Sequence, residues 1–119
     1  MEIGNIKFKA KRLDNKEWVE GDLVHSTSYV GIGYPSSVFP DAPIIHRVDP
    51  STVCMFTGLK DKNGTPIYEG DIVIYKDNNS ERRGNINWDS KAFCFGQGLL
   101  VHYSSEDMVV IGNKFDKKK

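Results

Sequence analysis

IYEGDIVIYKDNNSERRGNINWDSKAFCF, residues 67–95, decides how this 119-residue chain folds. Asp71 to Lys76 is rich in β-branched residues, Asp77-Asn78-Asn79-Ser80 reverses the chain, and Arg82 to Asp89 returns. Residues two apart share a face of a strand, so Ile86 and Trp88 are expected to fill one centre together with Ile72. Asp89-Ser90-Lys91 turns again into the aromatic run AFCF at 92–95. Short strands reversed by polar turns make a meander. The opening Gly-Asp-x-Val, followed by Gly-x-Ile-x-Trp at 84–88, is the pattern of small SH3-like barrels.

The same grammar extends outward. IKFKAK at 6–11 sets Ile6, Phe8 and Ala10 against Lys7, Lys9 and Lys11, a strand with one wet face. Asp14-Asn15-Lys16 is turn chemistry, and EWVEGDLVHS at 17–26 follows it. Asn63-Gly64 predicts a two-residue hairpin with positive φ at both central positions. Asp49-Pro50-Ser51-Thr52 predicts either one helical turn, with Asp as cap and Pro at the first helical position, or a β-turn. Residues 26–45 hold three prolines and two glycines among Tyr29, Val30, Ile32, Tyr34, Val38 and Phe39. That mixture predicts a long irregular loop that packs its own side chains.

Leu99–Tyr103 and Met108–Ile111 supply further strands, and 114–119 forms a frayed basic tail. No stretch of a dozen residues has the three-four apolar spacing of an amphipathic helix. The expectation is therefore an all-β domain spanning 1–119: an SH3-like or pseudo-barrel of short antiparallel strands, with the meander at 67–113 and at most one helical turn.

Lys+Arg and Asp+Glu are both 16, a balance that argues against a dedicated duplex-DNA binder, which needs a basic excess or face. Cys54 and Cys94 lie in apolar runs without a CxxC pair and read as reduced core thiols. No secretory leader opens the sequence and no run approaches bilayer-spanning length, so a cytoplasmic protein is expected, with no membrane partner.

WVEGDLV at 18–24 and IYEGDIV at 67–73 are near copies. The expectation is a tight turn at each Glu-Gly, the Asp side chain accepting a backbone N–H as the strand begins.

The block VDPSTVCMFTGLKDKNGTPIYEGDIVIY at 48–75 resembles the YopX family of bacteriophage and prophage proteins. IKFKAKRLDNKEWVEGDLV at 6–24 is similar to the family's opening, and VVIGNKFD at 109–116 to its close. Two departures are Ala10-Lys11, where the family tends to an aromatic, and the final lysine run. The resemblance implies a mostly β pseudo-barrel and a phage or prophage source. It implies no particular activity.

No catalytic, metal or cofactor set is expected. His25, His46 and His102 have no ligand spacing, no Gly-x-Ser-x-Gly elbow exists, and neither Gly31-Ile32-Gly33 nor Gly96-Gln97-Gly98 completes a phosphate loop. The leading expectation is a non-enzymatic interaction domain that self-associates or binds a host or phage protein. Tyr29, Ile32, Tyr34, Val38 and Phe39 form its expected interface. The alternative is a nucleic-acid-binding module using Lys7, Lys9, Lys11, Arg12, Arg82 and Arg83, although alternating lysines also serve simply to keep a strand soluble. A more remote alternative is a hydrolase using Glu20, Asp22, Glu69 and Asp71.

Overall fold

The structure, a computed structural model, describes residues 6–39, 41–77, 80–89, 92–95, 98–100 and 103–116. It is all-β: every ladder is antiparallel, and the only helical pieces among the described residues are short 3-10 turns. The contacts group into two compact units, Met1–Met55 and Phe56–Lys119.

In the first unit the strands are β1 (Phe8–Lys11), β2 (Trp18–His25), β3 (Val30–Tyr34) and β4 (Ile44–Arg47), paired in the order β4-β3-β2-β1. The first residues of β5 (Cys54–Lys60) continue the sheet beside β1, through Lys9↔Cys54 and Phe8↔Met55. The first half of β2 pairs with β1 and the second with β3, and Gly21 stands at the changeover. A Cβ at Gly21 would lie 2.2 Å from the Gly33 carbonyl oxygen, so only glycine lets the strand bend this closely over its neighbour.

The sheet curls so that the end of β1 meets the end of β4. The Leu13 N–H bonds the Arg47 carbonyl at 3.0 Å, the Asp49 N–H bonds the Lys11 carbonyl at 2.9 Å, and Arg12 bridges Val48. Inside the curl Ala10, Ile32 and Val48 are buried, with Phe8, Val19, Val30 and Val53 packed against them.

The stretch expected as irregular, 26–45, is therefore partly strand: β3 lies between β2 and β4. VGIGY does alternate, with Val30, Ile32 and Tyr34 on one face, but glycine rather than charge fills the other positions. The glycines leave room for a neighbour. A Cβ at Gly31 would lie 2.9 Å from Ile45 Cγ2 and 3.3 Å from Tyr29 Cε2.

In the second unit the rest of β5 pairs with β6 (Pro66–Tyr68). A five-stranded sheet follows, in the order β10-β9-β8-β7-β11. It comprises β7 (Asp71–Asp77), β8 (Ser80–Asp89), β9 (Ala92–Phe95), β10 (Gly98–Leu99) and β11 (Met108–Asn113). The expected meander is present as an open sheet, and no barrel closes among the described residues. Ile67, Val73, Ile86, Phe95, Leu100 and Met108 form its core, and the Tyr75, Phe95 and Tyr103 rings lie within 5.1–6.1 Å of one another.

Ile86 is fully buried, but Trp88 on the same face is 44% exposed and Ile72 only half-buried. The β7–β8 ladder ends at Ile72↔Asn85, so Trp88 lies beyond it and meets the ring of Phe93 on β9, whose centroid is 4.8 Å away. The Asn63-Gly64 turn also differs from expectation. Gly64 alone takes positive φ (81°), in a longer loop closed by the Asp61 N–H to the Thr65 carbonyl at 2.8 Å.

Candidate functional site

The most distinctive sequence block turns out to be scaffolding of the second unit. Asp61 is only 6% exposed. Its Oδ1 accepts the N–H groups of Asn63 (2.8 Å) and Thr65 (2.9 Å), and its Oδ2 accepts that of Val110 (2.9 Å). The Lys62 N–H bonds the Met108 carbonyl at 2.9 Å. Asp71 is fully buried: it accepts the Tyr68 N–H at 2.8 Å and Asn113 Nδ2 at 2.9 Å. Gly70 (φ 87°) makes the expected tight turn, with its carbonyl bonded by the Lys114 N–H at 2.9 Å. YEGD and VVIGNKFD, far apart in sequence, thus meet around one buried Asp71–Asn113 pair.

The first copy of this motif is different. Its Glu-Gly lies inside the continuous strand β2, not in a turn, because β1 and β3 hold the chain extended on either side. Glu20 and Asp22 are exposed there, whereas Asp71 is enclosed and spent on the Tyr68 N–H and Asn113. Among the described residues no three His, Cys, Asp or Glu side chains gather in metal-holding geometry. Cys54 and Cys94 are buried thiols that form no disulfide among the described residues, and Cys54 Sγ lies 3.2 Å from the Thr52 carbonyl. His25 is exposed and His46 half-buried, with Nε2 3.0 Å from the Tyr34 hydroxyl. His102 and Lys117–Lys119 lie outside the described residues.

The expected interface residues separate. Ile32 is 0% exposed in the core of the first unit, where it cannot meet a partner, because β3 turns its Val30-Ile32-Tyr34 face inward. Tyr29 and Tyr34 are half-buried. Val38 and Phe39 stand out, 72% and 67% exposed, on the loop joining β3 to β4. Their backbone N–H groups both bond Ser36 Oγ at 3.1 Å, and the Ala42 N–H bonds the Phe39 carbonyl at 2.9 Å. Ile44 and Ile45, where β4 begins, are 38% and 42% exposed.

The expected cations fall in both units. Lys9 and Lys11 place their ammonium groups 4.6 and 5.1 Å from the Trp18 ring centroid, while Lys7 precedes β1. Arg12 is taken by a two-point pair with Asp14, whose carboxyl it holds below its ordinary range through hydrogen bonding and charge. Arg82 and Arg83 are exposed on β8 of the second unit, and adjacent strand residues point to opposite faces.

Sequence reasoning gave no site role to Trp18, Arg47 or Leu13. Arg47 lies 4.8 Å over the Tyr29 ring, and Leu13, Asp14, His46 and Arg47 line a cleft of about 290 Å³. No local motif marks them, because β-pairing between distant segments brings them together.

No helix among the described residues is long and apolar enough to cross a membrane. Among curated proteins none matches this sequence. Among solved structures the fold is similar to the crystal structure of protein EF1440 from Enterococcus faecalis, with a TM-score of 0.56 at 24% identity, covering 91% of this chain and 92% of that one. The sequence matches the YopX protein family over residues 7–118. With nearly its whole length in that match, the chain belongs to the YopX family.

Proposed function

We propose that this protein is a non-enzymatic interaction module of a phage or prophage, which binds protein through the β3–β4 hairpin. The observation that carries the reading is the pair Val38 and Phe39. Two large apolar side chains are more than half exposed on a loop whose backbone is tied down by Ser36. Holding such side chains in water has no folding benefit, and ordered presentation lowers the entropy lost when a partner covers them. Ile44 and Ile45 extend the apolar surface along the strand that follows. A second copy of the chain is the first partner expected, and a host or phage protein the second.

Light scattering on the wild type and on Val38→Ser/Phe39→Ser tests this. The wild type should associate in a concentration-dependent way, and the double variant should be monomeric with an unchanged circular dichroism spectrum. The reading fails if the wild type stays monomeric at high concentration and both proteins retain the same partners from infected-cell lysate.

A further inference from the structure

Strand β4 is the outer strand of the first unit's sheet, and its two ends carry opposite shapes. Where it begins stands the hairpin tip, with Val38 and Phe39 72% and 67% exposed and Asp41 exposed after them. Where it finishes lies the cleft of about 290 Å³, lined by Leu13, Asp14, His46 and Arg47. The Leu13 N–H bonds the Arg47 carbonyl (3.0 Å), and the chain then turns away at Asp14, which opens the hollow beside the strand. β4 has four residues at ~3.4 Å each, so about 10 Å of strand separates tip from cleft.

The two ends also match in chemistry. Leu13 is 58% exposed and gives the cleft an apolar wall. Asp14 is paired with Arg12 and His46 with the Tyr34 hydroxyl, so a ring that displaces water there leaves both with their partners. Pockets that take small organic groups begin near this size, at ~300 Å³. Arg47 is the remaining polar group of the lining. Its guanidinium lies over the Tyr29 ring at 4.8 Å, which holds one face of the head in place and leaves its N–H edge for a carboxylate. Among the described residues no acid forms an ion pair with Arg47, and Asp49, two residues on, is turned to the Ser51 N–H and hydroxyl. One end of β4 thus offers an apolar wall beside a cation, and the other an apolar pair beside an acid.

A projection and a hollow at the two ends of one strand fit a second copy turned about a two-fold axis midway between them, since each tip then meets the other copy's cleft. Ile44 and Ile45, 38% and 42% exposed, lie near that midpoint. We infer that two copies of this chain dock by exchanging hairpin tips, Phe39 of each covering Leu13 of the other and Asp41 of each meeting Arg47 of the other. This rests on the protein-binding reading above and deepens it, by naming the partner and the surface that receives the tip. The opposite charges set the register, and the covered apolar groups supply the affinity.

Analytical ultracentrifugation of the full chain over a dilution series tests the inference. The wild type should reach two copies and stop. Leu13→Ser should raise the dimer dissociation constant at least about tenfold. Asp41→Arg and Arg47→Asp should each do the same, because each sets like charges face to face. Mixing the two charge-reversed chains should restore the dimer, since both contacts of the mixed pair then join opposite charges. Circular dichroism checks the fold of each variant, and if Leu13→Ser does not fold, the two charge reversals and their mixture decide the matter. The inference is overturned if the wild type stays monomeric, if it grows beyond two copies, or if the mixture associates no better than either variant alone. Its failure is distinguishable from that of the protein-binding reading. A dimer lost in Val38→Ser/Phe39→Ser but kept in Leu13→Ser and both charge reversals removes the cleft and leaves that reading standing. A monomeric wild type removes the exchange of tips and leaves that reading to the capture from lysate.

Discussion

Asp61 satisfies three backbone N–H groups from two parts of the chain, with one carboxylate that is almost fully enclosed. Asp61→Ala leaves those donors without their acceptor and should cost about 2–4 kcal/mol in urea unfolding. Asp61→Asn keeps Oδ1 but turns an N–H₂ toward Val110, so it should fall between the two. Asp49 offers a test by pH. Its carboxyl is held below the ordinary 3.8 by hydrogen bonds from the Ser51 hydroxyl and N–H. A lowered folded-state value means the carboxylate contributes stability above its unfolded-state pKa and loses it as pH falls through the folded one. Melting followed from roughly pH 5 to pH 2 should therefore show a smaller acid-induced drop for Asp49→Asn, whose cap does not titrate. An identical acid limb in both proteins would exclude the cap as a contributor.

Strand β2 shows how one short motif serves two purposes. In IYEGDIV the glycine reverses the chain, whereas in WVEGDLV it lets an unbroken strand pass 2.2 Å, in Cβ terms, from a carbonyl oxygen. Gly21→Ala should therefore destabilise the protein by at least ~2 kcal/mol, because backbone cannot yield as a side chain can. Gly33→Ala, whose new Cβ would meet its nearest atoms at 3.4–3.6 Å, should stay within about 1 kcal/mol. Chemical denaturation of the two variants checks the contrast, and equal losses would count against it. The strand class was legible because Ile6–Lys11 alternates, Asp71–Lys76 is rich in β-branched residues, and turn residues separate the segments. β3 was hidden because glycines occupy its alternate positions, and the Asn63-Gly64 geometry because Asp61, two residues upstream, captures the turn. Local pattern reports which face a residue takes. It does not report which distant strand will cover that face, and this is why Trp88 was expected inside.

At the scale of the molecule, each unit keeps its own buried cluster, and the surface chemistry follows from how its strands are joined. Phe39 and Val38 were recognisable from sequence because an apolar pair between prolines and serines stands out. The Leu13–Arg47 cleft was not, since those residues become neighbours only when residues 11–13 pair with 47–49. Strand β11 carries a consequence of the same kind. Its Met108 carbonyl and Val110 N–H, which face away from β7, are occupied by Lys62 and Asp61. The turn works as a bolt across the first half of that edge, so copies of this protein find less of a template there for edge-to-edge pairing. Asp61→Ala draws the bolt. Incubated under native conditions, that variant should seed thioflavin-binding filaments that the parent chain does not form.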